Sequence, residues 1–136
     1  MTEIKCLCGG VQVRLEGEPV AQAFCHCDDC QAMHGAAYVP AALYPAKAVT
    51  VTQGTPTMWA FKTTPRATCP ECGTRVFAEV ASVGIRSVMA GLLPKGSFRP
   101  TFHMQCQFAV RPLKDDLPHF KAYPAAMGGS DEKVEW

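Results

Sequence analysis

The chain has 136 residues, the usual size of one domain, and its 13 Lys and Arg against 12 Asp and Glu leave a formal charge of +1. So small a charge lacks the long-range attraction that phosphate backbones or anionic lipid surfaces require, so neither a nucleic-acid nor a membrane partner is expected. With 48% hydrophobic and 18% charged residues the composition is that of a packed fold and excludes disorder. Eleven Gly and eleven Pro, spread along the whole chain, predict many short elements joined by turns.

In chain order, the first five residues carry charges of both signs and no apolar run follows them. Neither a secretory signal nor a transmembrane helix is expected there, which points to the reducing cytoplasm. Val11, Val13 and Leu15 alternate with Gln12, Arg14 and Glu16 up to Gly17, the pattern of a half-buried strand. Residues 27–36 are the nearest thing to a helix: Asp28 or Asp29 would cap one or two turns, and Gly35 would stop them. Strand candidates follow at 38–44, 48–52, 57–62, 74–80, 87–92 and 102–110, with turn signals at 53–56, at Thr64-Pro65 and at 94–97. In the last of these strands Phe102, Met104, Cys106 and Phe108 share one face, so Cys106 is expected in the core and His103 on the opposite face with Gln105 and Gln107. His26 is expected to face solvent, and His34 and His119 stand in no supporting pattern. The fold class is mostly β with at most one short helix. One domain is expected over residues 1–124, followed by a loosely packed or frayed tail over 125–136, where Gly-Gly and mixed charges replace apolar residues.

The chemistry is concentrated in cysteine. Eight Cys in 136 residues fall below the density of a disulfide scaffold, and thiols stay reduced in the cytoplasm, so metal ligation competes well with disulfides. Seven of the eight fall into three clusters: Cys6-Leu-Cys8-Gly, Cys25-His-Cys27-Asp-Asp-Cys30 and Cys69-Pro-Glu-Cys72-Gly. Such tight turns bring thiolates together as tetrahedral zinc requires, and Gly9 and Gly73 supply the backbone freedom to fold the turn around an ion. Both outer clusters read as zinc knuckles. A closed structural site needs four ligands, and Cys6, Cys8, Cys69 and Cys72 make that set. The middle triplet, Cys25, Cys27 and Cys30, then has three thiols and an open position, the arrangement of a catalytic zinc. Its alternatives are a second structural site completed by Cys106 or a histidine, an empty site, or a disulfide.

These clusters in this order resemble the glutathione-dependent formaldehyde-activating enzyme (GFA) family. The matching stretches are residues 6–11, 25–31 and 69–74, Gly91-Leu92, the segment 100–103, and Asp115-Asp116-Leu117-Pro118 near the end; together they span about residues 3 to 124. The resemblance implies a zinc-binding, mostly antiparallel β fold of the β-tent type. It assigns a structural zinc to Cys6, Cys8, Cys69 and Cys72, and a second, catalytic zinc to Cys25, Cys27 and Cys30. The implied activity is that of a carbon-sulfur lyase condensing glutathione with formaldehyde to S-hydroxymethylglutathione, with glutathione as the small-molecule partner. Lys47, Lys62 and Arg66 are candidates to meet glutathione carboxylates, against the ordinary reading of scattered bases as solvated surface charge. A non-catalytic zinc-stabilised binding module is the alternative function, and the zinc content of the triplet discriminates the two.

Overall fold

A computed structural model describes residues 1–62 and 64–136. The described residues form ten strands, one α-helix and several single 3-10 turns, the mostly β fold that the alternating segments predict. They divide into two compact units: Met1–Ala21 with Ala42–Phe98, and Gln22–Ala41 with Arg99–Trp136.

In the first unit, β1 (Thr2–Lys5) pairs antiparallel with β2 (Gln12–Leu15), and β2 with β5 (Val49–Gln53). The alternation read from the sequence holds here, because Val11, Val13 and Leu15 are all buried. A second antiparallel run joins β6 (Thr57–Phe61), β7 (Thr64–Thr68), β8 (Arg75–Val80) and β9 (Ile85–Met89). The Thr64-Pro65 turn signal is thus the start of a strand. Pro65 lacks the N–H of a strand residue and sits opposite Ala60 near the closed end of the β6–β7 hairpin. One apolar core is formed by Ile4, Val11, Val13, Leu15, Tyr44, Val49, Val76, Phe77 and Val88 with Cys6 and Cys69. Arg66, expected as a solvated base, is buried to 4% exposure within β7, its Nη1 donating to Thr64 O.

Across the boundary of the two units runs β4 (Val39–Pro45). The second unit holds β3 (Ala21–Cys25, of which Ala21 belongs to the first unit) and β10 (Phe102–Met104), which pair in parallel with Cys25 opposite Met104. Its helix α1 (Asp28–His34) ends where the sequence predicts, at Gly35, whose φ of 58° takes the left-handed conformation that glycine adopts without strain. The capping residue differs: Cys27, not Asp28 or Asp29, is the N-cap, and its Sγ accepts the Cys30 N–H. Both aspartates lie in the first turn, where negative charge suits the helix dipole.

The strand expected over 102–110 is cut to three residues. Gln105 turns to φ 58°, and Cys106–Phe108 forms a 3-10 turn. Cys106 is buried as expected, but Phe108 is 45% exposed, because the turn breaks the alternation that would have placed them on one face. The chain after Asp115 returns along β10: His103 N donates to Pro118 O, Phe120 N to His103 O and Cys106 N to Phe120 O. In the segment after Ala125, Phe120 bridges Lys133, Val134 N donates to His119 O, and the Trp136 ring lies 4.6 Å from that of His119.

Candidate functional site

The two outer cysteine turns have one construction. Cys6 N donates to Val11 O at 3.0 Å and Gly9 N to Cys6 O at 3.0 Å; Cys69 N donates to Thr74 O at 2.9 Å and Gly73 N to Cys69 O at 2.9 Å. Gly9 and Gly73 have φ of 80° and 74°, so each turn depends on its glycine. Leu7 N donates to Thr74 Oγ1, tying the first turn to the second. The four sulfurs of Cys6, Cys8, Cys69 and Cys72 lie within 4.8 Å of one another, with Cys6 to Cys8 at 3.6 Å and Cys8 to Cys69 at 3.7 Å. Thiolates at zinc–sulfur distance on a tetrahedron are about 3.8 Å apart, so the quartet fits such an ion.

Its electrostatics make the same point. A backbone N–H of Gly10 favours the Cys8 thiolate, but Cys6, Cys72 and Cys69 outweigh it and push the Cys8 thiol up to about 12. The Thr74 hydroxyl and backbone hold Cys72 down, to about 5. Four sulfurs this close cannot all ionise by themselves, and a dication is the group that would let them.

In the second unit, Cys25 closes β3, Cys27 caps α1 and Cys30 lies in its first turn, which brings the three sulfurs within 4.8 Å of one another. Among the described residues neither Cys106 nor a histidine joins them within that spacing, and none of the eight cysteines forms a disulfide. The Cys27 and Cys30 thiols, together with burial, hold the Cys25 thiol well above its ordinary value. This too is a donor set suited to a thiophilic dication. Gln31 fixes the turn: its Nε2 donates to His26 O and to Phe108 O, both at 2.8 Å. Tyr123 lies within electrostatic reach of the three thiols. Desolvation raises the pKa of its hydroxyl, which accepts from Gln105 Nε2 at 3.2 Å. An open cleft of about 530 Å³ runs along α1, lined by Asp28, Gln31, Ala32 and Val110 among others.

The histidines correct the sequence reading most. His26, expected in solvent, is 1% exposed, and His103, set on the polar face of a strand, is 0% exposed. His26 Nε2 lies 2.9 Å from His103 Nδ1, and His103 Nε2 lies 2.7 Å from Asp115 Oδ2. Burial and the neighbouring imidazoles lower the His26 pKa to about 4, so this ring is neutral. Burial opposes ionisation of Asp115, but hydrogen bonds from His103 and the Leu117 N–H hold its carboxyl below the usual range. The signal for this cluster was in the sequence as the four-residue spacing of Asp115 and His119. What was missing was the return of that segment along β10.

The family model for the glutathione-dependent formaldehyde-activating enzymes matches residues 1–108. No functionally curated protein matches the sequence. A crystal structure of a Rhodobacter sphaeroides protein, a structural genomics target, is similar with a TM-score of 0.58 and 21% identity, covering 73% of this chain and 92% of that one. That likeness speaks for the fold alone. The family match takes in all three cysteine clusters and most of the chain, and the chain belongs to the glutathione-dependent formaldehyde-activating enzyme family.

Proposed function

We propose that this chain is a zinc-dependent, carbon-sulfur lyase-like enzyme that adds glutathione to formaldehyde, giving S-hydroxymethylglutathione. The observation that carries the reading is the convergence of Cys25, Cys27 and Cys30, with no fourth protein ligand at the same spacing among the described residues, in a chain of this family. These three would hold the catalytic zinc, while Cys6, Cys8, Cys69 and Cys72 would hold a structural one. With one position open, zinc at the triplet supplies the Lewis acidity that lowers the pKa of an incoming thiol.

The reaction forms a sulfur–carbon bond as the carbonyl π bond breaks. The thiol proton ends on the former carbonyl oxygen, and nothing is oxidised or reduced. The chain's own groups prepare this. The Cys30 N–H on Cys27 Sγ and the two Gln31 bonds fix the sulfurs before substrate arrives, so little reorganisation accompanies binding. Tyr123, protonated and oriented by Gln105, donates to the oxygen that gains charge. The tripeptide is assigned to the cleft along α1, whose lining residues Asp28 and Gln31 directly follow Cys27 and Cys30 in the chain. A cytoplasmic location suits this chemistry, because that compartment holds thiols reduced.

The test is a titration of the zinc-loaded protein with glutathione, followed by formaldehyde consumption. Thiol binding should release a proton near neutral pH, Cys27→Ser should abolish the release with the fold intact, and formaldehyde should be consumed above the spontaneous rate. Thiol binding with no acceleration would make the protein a zinc-stabilised binding module. No thiol binding at all would overturn the reading of the triplet.

A further inference from the structure

Three side chains outside the cysteine clusters converge as ligands do. His103, Asp115 and His119 each offer a ligand atom within 4.8 Å of the other two. The Asp115 carboxylate faces both rings, with Oδ2 at 2.7 Å from His103 Nε2 and Oδ1 at 3.1 Å from His119 Nε2. We propose that these three residues form a separate metal site, of two imidazoles and one carboxylate, for a divalent first-row transition ion such as zinc, cobalt or iron(II).

Four observations carry the inference. The first is an unsatisfied atom: the His119 side chain is nine-tenths buried, yet its Nε2 makes no hydrogen bond and has the Asp115 carboxylate, at 3.1 Å, as its ion-pair neighbour. A buried imidazole nitrogen without a hydrogen bond is costly, and an ion in front of it removes the cost. The second is spacing. Nitrogen and oxygen ligands on a tetrahedral ion lie about 3.3 Å apart, so the two carboxylate–imidazole separations, 2.7 and 3.1 Å, need to widen by only about 0.6 and about 0.2 Å, within the swing of a carboxylate, and all three ligand atoms already lie within 4.8 Å of one another.

The third is the set of hydrogen bonds behind the ligands. With His103 Nε2 given to an ion, its Nδ1 carries the proton and donates to His26 Nε2, 2.9 Å away, and the Leu117 N–H already holds Asp115 Oδ1 at 3.0 Å. Ligating histidines and carboxylates are ordinarily fixed by such outer bonds. Phe24 stacks on His103 with ring centroids 5.0 Å apart, and Trp136 covers His119 at 4.6 Å, so both rings are held in place. The fourth is access. The Asp115 side chain is 34% exposed, which leaves an entry path and room for water to complete the coordination. Nitrogen and oxygen donors make this site different in kind from the thiolate clusters, and the inference does not depend on what the triplet does.

The experiment takes the full chain loaded with two zinc ions, one for the quartet and one for the triplet, removes unbound zinc and adds cobalt(II). The expected result is weak visible ligand-field bands without a thiolate charge-transfer band in the near ultraviolet. One more metal per chain should be retained on gel filtration than in Asp115→Asn and His119→Gln, with apparent affinity in both variants lower by at least about tenfold. Near-ultraviolet circular dichroism checks that the variants fold. Should His119→Gln fail to fold, Asp115→Asn carries the comparison, because its carboxylate is partly exposed and the change is isosteric. Three results would overturn the proposal: no retained cobalt, cobalt retained only with a thiolate charge-transfer band, or equal retention in wild type and variants.

Discussion

Replacing Cys72 by Ser should cost the first unit much of its stability, and the size of the loss follows from the connectivity of the quartet. Cys8 and Cys69 are 61 residues apart, yet their sulfurs lie 3.7 Å from each other. In the unfolded chain each knuckle can grip an ion only with its own two thiols, and joining both on one ion requires closing that loop, at roughly 4 kcal/mol of chain entropy. The folded chain has already closed it, so zinc favours the folded state by at least about that amount. A serine hydroxyl does not replace the thiolate, so Cys72→Ser should forfeit this preference. With a urea m-value of about 2 kcal/mol/M for a chain of this size, the unfolding midpoint should fall by about 2 M. The assay is urea unfolding of wild type and variant, each with zinc and with chelator, beside Cys106→Ser as a buried cysteine outside the quartet and the triplet. Wild type with chelator should resemble the variant, and chelator should move the variant far less than wild type. Superimposable melts for wild type and Cys72→Ser in both conditions would refute the reasoning.

The triplet, with three thiolates in place of four, should give up its metal to mild chelation while the fold persists; loss of all metal together with the fold would contradict the division into two kinds of site. Burial, with Asp115 adding to it, pushes the Cys106 thiol up to about 12, so at neutral pH it should hold about a thousandfold less thiolate than an ordinary cysteine, and an alkylating reagent should spare it in the native protein but not in urea. The same shift has a signed consequence. Its stability is fully present below the ordinary thiol range and lost as pH rises towards 12, so Cys106→Ser should gain on wild type between pH 8 and pH 10 in paired urea melts. Gly54 has φ 79°, and a Cβ there would fall 2.2 Å from Gly10 O, inside the first knuckle. Gly54→Ala should therefore destabilise by about 1–3 kcal/mol and weaken metal binding at the quartet, read by unfolding and by competition with a chromophoric chelator.

Local features were legible in the sequence wherever the cause was itself local. The cysteine turns are legible because a Cys-x-Cys-Gly or Cys-x-x-Cys-Gly turn closes through its own backbone bonds, such as Cys69 N to Thr74 O, and needs only the glycine that follows. Gly35 ends α1 for the same kind of reason, and the faces of β2 follow from alternation because one side of that strand is core and the other is not. The histidines show the converse. Alternation divides Phe102 and Met104 from His103 and says nothing about whether both faces are covered, and all three residues of β10 are buried. His103 is enclosed because a segment twelve residues and more downstream returns beside it, bringing Asp115 and His119, while His26 meets it from another strand end. Cys27 caps the helix in preference to either aspartate because the turn after β3 had already placed its sulfur over the Cys30 N–H. The sequence by itself thus determined the strand-rich class and the cysteine turns, whose bonds close within a few residues. Only the tertiary structure decided which polar side chains are buried together, because desolvation depends on what long-range pairing lays over a residue and not on its neighbours in the chain.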